Sequence, residues 1–343
     1  MIPYLRNSKP WFAFLVHLRG IHDADRVGVG KFLRAYSQNY NEFVNKLESL
    51  PAVVSSEIRF RSTAICGEVI CINRLPERMI VPEARHDVVS AAQLAINRGA
   101  KVIGLGALTA PATGGGLAIV RHLPSNVTVT NGNALTAAMV HSNTVAAAHY
   151  LCGTDAAKVS VAVVGCTGSV GNALTYLLAR DGFQLILIGR NQQRVEREFT
   201  DIPKAVCSGD ITDIRNADIV VLLTSDPTAL IMPELPRKDC IIIDCAQPAN
   251  IPHHSYVEFR KRGISVVEGG MVRIPEYSST DDFGFSCRTD TFACLAETYL
   301  FARSGIREHS VGRCHADPAL RMKNLAERFG IQPRPLDFSL SAA

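Results

Sequence analysis

The sequence predicts an α/β fold: a doubly wound, parallel, Rossmann-type sheet, a second α/β substrate domain, and C-terminal helices. Three observations carry this expectation. From residue 159 to about residue 267, short apolar runs alternate with amphipathic stretches of helical period. The first of those runs leads directly into Gly165-Cys166-Thr167-Gly168-Ser169-Val170-Gly171. The chain has 343 residues, 47% of them hydrophobic, which is enough for two cores.

From the N-terminus, the apolar run at 12–18 reads as a buried strand. Over 31–49, Phe32, Leu33, Tyr36, Tyr40, Phe43, Val44 and Leu47 recur at threes and fours, which predicts one helix. Residues 57–61 and 68–72 read as strands around Cys66-Gly67. An amphipathic helix over 83–99 stops at Gly99, and a strand over 101–108 precedes the loop of Gly114, Gly115 and Gly116. The segment from Asn126 leads into an Ala-rich helix over 133–151, ended by Gly153. Beyond it the alternation predicts strands at 159–164, 184–188, 218–223, 240–244 and 264–267, with a helix at 169–180. From Thr289 onward the chain reads as helical, with an excess of Arg and Lys. The expected division is an N-terminal α/β substrate domain (1–150), a dinucleotide-binding domain (151–285) and a helical C-terminal segment (286–343).

The net charge of +4 is too small to imply nucleic acid and fits acidic or phosphorylated partners better. Ten cysteines occur without a CxxC pair or zinc spacing, so no metal site is expected. The early apolar run from Trp11 to Val16 is broken by His17 and Arg19. It lacks a cleavage signal and falls short of the ~20 apolar residues of a membrane span. The expectation is a cytoplasmic protein with reduced thiols, without an integral membrane segment but compatible with peripheral membrane contact.

The glycine triplet has a strand before it and a helix after it. Glycines let the backbone turn tightly and approach a pyrophosphate, and the helix N-terminus offers N–H groups and a positive dipole end. The second strand ends at Ile188-Gly189-Arg190-Asn191, with Arg194 one turn on. An Asp or Glu at that end would hold a ribose 2′-hydroxyl, whereas guanidiniums bind a 2′-phosphate. NADP(H) is therefore expected over NAD(H). The expected cofactor-binding set is Gly165, Thr167, Gly168, Ser169, Val170, Gly171, Arg190, Asn191, Arg194 and Thr224.

Near the C-terminus, Thr289 or Thr291 with Asp290 resembles a helix start. At about 100° per residue, Phe292, Leu295, Ala296, Tyr299 and Leu300 share one face and Cys294 lies nearly opposite. A cysteine in the first turn and off the apolar stripe suits a nucleophile, because the helix dipole favours its thiolate. The same position also suits a cysteine packed against a second layer.

These segments together resemble the cyanobacterial-type long-chain acyl-[acyl-carrier-protein] reductases. The likeness runs in order over roughly residues 12–335. It comprises Phe12 to Leu18, Leu75-Pro76-Glu77-Arg78-Met79, Gly104 to Thr109 and Thr130-x-Gly132-Asn133-x-x-Thr136. Val161 to Gly168, Arg190-Asn191-Gln192, Ile243-Asp244, Gly269-Gly270-Met271-Val272 and Phe292-Ala293-Cys294-x-Ala296-Glu297 complete it. The resemblance implies that Cys294 is the nucleophile, that NADPH is the cofactor, and that an acyl thioester on an acyl carrier protein or coenzyme A is reduced to an aldehyde. The segment Gly132-Asn133-Ala134-Leu135-Thr136 lacks the histidine of that family's pattern.

For such chemistry Asn133 and Thr136 are expected to assist Cys294, with Thr109 and Asn131 as further polar candidates; capping explains each equally well. His17 and His141 are expected to be structural. The bases Arg303, Arg307, Arg313, Arg321, Lys323, Arg328 and Arg334 suggest a docking face for an acidic carrier protein, or simply a solvated surface. Two other readings stay open: a shikimate-dehydrogenase-like oxidoreductase of a small hydroxy acid, and a non-catalytic NADP-binding protein. Against the first, Asn131-Gly132-Asn133-Ala134 contains no catalytic lysine.

Overall fold

Phe12–His17 is apolar almost throughout and nearly wholly buried, as a strand covered on both faces must be. In a computed structural model, which describes residues 11–26, 29–153, 155–226, 230–281 and 283–339, this strand is central to a six-stranded sheet. The order is Tyr277–Ser279, Val53–Phe60, Cys66–Ile72, Phe12–His17, Val102–Leu105, Thr128–Thr130. The last four run parallel, while Val53–Phe60 is antiparallel to both of its neighbours. Ala13, Leu15, Ile70, Ile72, Ile103 and Leu105 face the helix Ala84–Arg98 through Val88, Ala91, Ala92 and Ala95. On the opposite face Phe12 and Phe60 meet Tyr299 of the helix Ala293–Ser304, with the Phe60 and Tyr299 rings stacked at 3.7 Å.

The second sheet is wholly parallel: Ser265–Glu268, Ile241–Asp244, Ile219–Leu222, Ser160–Val164, Gln184–Ile188, Val206–Ser208. Numbered along the chain this is the 3-2-1-4-5-6 order of a Rossmann sheet. Its strands bury both faces. Val161, Val163, Ile219, Val221, Ile241 and Ile243 lie in one core; Ala162, Val164, Val220, Leu222 and Ile242 lie in the other.

The chain divides into two units. One holds the described residues through Gly132 plus Ile274–Gly312; the other holds Asn133–Arg273 and the described residues from Arg313. This departs from the three consecutive segments expected above. The Ala-rich helix Asn133–Cys152 belongs with the Rossmann sheet, and its Val140, Ala147 and Ala148 enter that core. The segment after Arg273 returns to the first sheet, where Tyr277–Ser279 adds an edge strand beside Val53–Phe60.

Most sequence-predicted elements appear within a few residues of their expected ends. The expected helix over 31–49 is two helices, Val29–Ala35 and Tyr40–Glu48. The break is at Asn39, whose side chain accepts the Glu42 N–H while the Glu42 carboxylate accepts the Gln38 N–H. No helix among the described residues is long and apolar enough to cross a membrane.

Candidate functional site

Within the Rossmann unit, Ser160–Val164 runs into Gly165, at φ +87°, and then into the helix Ser169–Arg180. Space requires glycine at 171, and the left-handed backbone favours it at 165. A Cβ on Gly171 would overlap the Gly165 carbonyl oxygen, and one on Gly165 would lie 3.0 Å from the Leu223 backbone carbonyl. Thr224 is drawn in the same way, its backbone N being 3.2 Å from that Gly165 position. Gly168 provides no side-chain cap, and the first helical turn contains no acidic residue. The strand order reverses at this point, between Gln184–Ile188 and Ile219–Leu222. A tight glycine turn at the N-terminus of a 12-residue helix and at a switch point fits a dinucleotide pyrophosphate.

The end of the second strand is crowded and carries no acidic side chain. A Cβ at Gly189 would lie 2.8 Å from Val195 Cγ2 and 3.6 Å from Thr167 Cγ2, so an acidic side chain has no room unless Val195 moves. Arg190 is exposed. Asn191 is occupied in capping: its Oδ1 accepts the Arg194 N–H at 2.9 Å and starts the helix Gln192–Glu198. Arg194 Nη2 lies 3.4 Å from the Thr167 carbonyl oxygen.

Asn133 and Thr136, expected beside the cysteine, lie on the first turn of Asn133–Cys152 in this unit. Asn133 Nδ2 donates to Ser169 Oγ at 2.9 Å, and the Cys314 N–H donates to the same hydroxyl at 2.9 Å. Val170 follows Ser169 in the helix and is half-buried.

In the other unit, Cys294 is the second residue of Ala293–Ser304. The helix start differs from the expected one. Asp290–Phe292 is a short strand, Phe292 occupies the N-cap, and neither threonine caps. Thr298 and Phe301, on the Cys294 side of the helix, are as buried as Leu295 and Leu300. Helix and sheet approach so closely that a Cβ on Gly104 would overlap the Thr298 side chain. At the carboxyl edge of the sheet, Gly132, at φ +71°, leaves no room for a Cβ against Cys294 Cβ.

The dipole does not give Cys294 a low pKa here. Cys294 is half-buried; desolvation pushes its thiol up to about 12, and the nearby Glu297 acts in the same direction. The backbone N–H groups of Leu295 and Ala107 pull the other way, Ala107 holding an unusual φ of +48° after Gly106. Glu297 is fully buried and accepts a hydrogen bond from Thr130, whose hydroxyl oxygen in turn accepts the Gly132 N–H at 3.1 Å. This relay pins the strand end against the cysteine. Ala107 and Arg313 escaped sequence reasoning. A glycine-flanked turn after a strand hints at the first, but nothing local signals the second.

The remaining polar candidates are engaged in hydrogen bonds. The Thr109 hydroxyl donates to the Gly106 carbonyl at 2.8 Å, and Asn131 Nδ2 donates to the Gly115 and Gly312 carbonyls. His17 Nδ1–H donates to the Leu18 carbonyl while Nε2 accepts the Leu108 N–H; burial lowers its pKa to about 4. His141 is buried with Nε2 2.7 Å from Asp181, and burial lowers its pKa too. The basic residues expected to form one docking face are divided between the units. Arg313 pairs with Glu198, and Arg334 pairs with Glu268 at 3.2 Å. Among the described residues no cluster of His, Cys, Asp or Glu could hold a metal ion.

No family model matches the chain. It is 27% identical over 300 residues, 84% of its own length, to aminotransferase PigE of Serratia sp., of which it covers 35%. It is 30% identical over 186 residues, 51% of its length, to the long-chain acyl-[acyl-carrier-protein] reductase of Synechococcus elongatus, of which it covers 52%. The chain thus spans about a third and about half of these two relatives. Among solved structures it resembles L-tryptophan dehydrogenase of Nostoc punctiforme, at TM-score 0.41 and 15% identity over 94% of this chain and 89% of that one.

Proposed function

We propose that the protein is an NADPH-dependent acyl-thioester reductase that releases an aldehyde through an acyl-Cys294 intermediate. The carrying observation is Cys294 at the start of a buried helix, set against Gly132 at the carboxyl edge of a parallel sheet, where ligands of such sheets bind. The partial likeness to the Synechococcus reductase supports the same reading.

Cys294 sulfur, once deprotonated, attacks the thioester carbonyl. The new C–S bond forms as the bond to the carrier-protein or coenzyme A sulfur breaks, and the donor thiol leaves with a proton. One thioester replaces another, so little free energy is lost in the exchange. The N–H groups of Leu295 and Ala107, already directed at the sulfur, stabilise its thiolate. A bound nicotinamide supplies the hydride that reduces the acyl-cysteine carbonyl. The resulting thiohemiacetal breaks its C–S bond to give the aldehyde and regenerates Cys294. Gly165, Gly168 and Gly171 would hold the pyrophosphate, and Arg190 and Arg194 would hold the 2′-phosphate.

The test is intact mass after incubation with a long-chain acyl carrier protein or acyl-coenzyme A. A single acyl adduct, lost in Cys294→Ala, together with aldehyde formed upon NADPH addition, supports the reading. An adduct that persists in Cys294→Ala refutes it; Cys287 is then the next candidate.

A further inference from the structure

We infer that Arg313, from the segment that returns to the Rossmann unit after the cysteine helix, is a third guanidinium of the 2′-phosphate site and a determinant of cofactor specificity. The inference rests on the NADPH reading above. Thr167 lies between the glycine loop and the end of the second strand, where a Rossmann sheet receives the adenosine ribose. Two guanidiniums converge on its carbonyl oxygen: Arg194 Nη2 at 3.4 Å and Arg313 Nη2 at 3.5 Å.

Both also meet one carboxylate. Arg194 Nε is 3.6 Å from Glu198 Oε2, and Arg313 Nη2 pairs with Glu198 Oε1. Glu198 additionally accepts from Asn172 Nδ2 at 3.2 Å. Two cations thus share one anion, with the exposed Arg190 at the adjoining strand end. Two guanidiniums around one carboxylate leave a net positive charge, and desolvation and the Arg194 charge both act against the protonated form of Arg313. A phosphate monoester dianion supplies the missing charge and accepts bidentate hydrogen bonds from planar guanidiniums.

Arg313 is also held in place. The next residue, Cys314, donates its N–H to Ser169 Oγ at 2.9 Å, which ties this segment to the first turn of the loop helix. Tyr176 completes the surroundings, its hydroxyl donating to Asp201 Oδ1 at 2.9 Å. A merely structural Arg313 would be content with Glu198 and indifferent to the 2′-phosphate.

The experiment uses the full chain and its Arg313→Gln and Arg313→Lys variants. NADPH and NADH dissociation constants are read from nucleotide fluorescence, with 2′,5′-ADP and 5′-AMP as competitors. Arg313→Gln should weaken NADPH and 2′,5′-ADP at least tenfold and leave NADH and 5′-AMP within twofold. Arg313→Lys, which keeps the charge but not the fork, should fall between. Equal weakening of both cofactors, or no weakening, with a wild-type protein that prefers NADPH overturns the inference and leaves the cofactor reading intact. A wild-type protein that does not prefer the 2′-phosphorylated ligands overturns that reading and this inference together. Chemical unfolding of each variant separates lost contacts from lost fold.

Discussion

Desolvation of the half-buried Cys294 predicts slow alkylation of the free protein. With a pKa of about 12 against an ordinary 9.0, the thiol is protonated at every physiological pH. At pH 8 an ordinary thiol of that kind is about one-tenth ionised, and a thiol at about 12 only about one part in ten thousand. Thiolate attack on iodoacetamide should therefore lag by roughly a thousandfold, or about 4 kcal/mol, before any steric contribution. The exposed Cys152 serves as an internal reference in the same sample. Peptide mass spectrometry at timed quenches from pH 7 to 10.5 gives both rates. The Cys294 rate should rise about tenfold per pH unit across the whole range, since its pKa lies above it. A plateau below pH 9, or labelling as fast as Cys152 at pH 7.5, would refute the argument and show a thiolate already formed in the free protein. The expected result means that the Cys294 proton leaves only when the acyl donor is bound.

Arg190→Ala should weaken NADPH by about 1–3 kcal/mol and leave NADH nearly unchanged in a fluorescence titration; equal losses would remove Arg190 from the 2′-phosphate site. Gly132→Ala should lower stability by about 1–3 kcal/mol, because its φ of +71° disfavours a side chain and the new methyl meets Cys294. Urea unfolding and acyl-adduct formation read the two effects, and a neutral result contradicts the packing described. His17, a base held neutral at a pKa of about 4 against 6.5, gives stability that is fully present above 6.5 and lost as pH falls toward 4. The unfolded chain binds that proton first, so about 3 kcal/mol disappears over that window, and His17→Gln should not show this loss. Parallel unfolding profiles for the two proteins would mean that His17 is not held neutral. If an acidic carrier protein docks on exposed bases, kcat/KM should fall steeply with salt for acyl carrier protein and not for a short acyl thioester.

The Rossmann half was legible because its signals are local. Val161 to Val164 and Ile219 to Leu222 are apolar at every position, which only strands covered on both faces require, and the glycine spacing marks the turn that follows. The broken helix at Asn39 was legible in principle, since Asn39 and Glu42 stand at capping distance; the threefold and fourfold apolar spacing on either side of it argued for continuity.

The division into units had no local signal. Tyr277–Ser279 pairs with Val53–Phe60 across more than two hundred residues, and a three-residue strand carries no period to read. The same return explains the uneven reading of the candidate site. The place of Cys294 in the first turn of a helix was legible because a helix start is local, but its environment is made by Gly132 and Ala107, which reach it only through the order of the first sheet. Off-stripe geometry suited a nucleophile and a cysteine packed against a second layer equally well. In the fold Thr298 and Phe301 on that face are buried, and Cys294 itself is half-buried. Arg313 is the clearest instance of the principle. On the sequence it belongs to a run of surface bases, and in the fold it meets Thr167 and Glu198, more than a hundred residues earlier in the chain. A charge pattern along the chain gives the number of cations, whereas long-range chain return decides which of them share an anion.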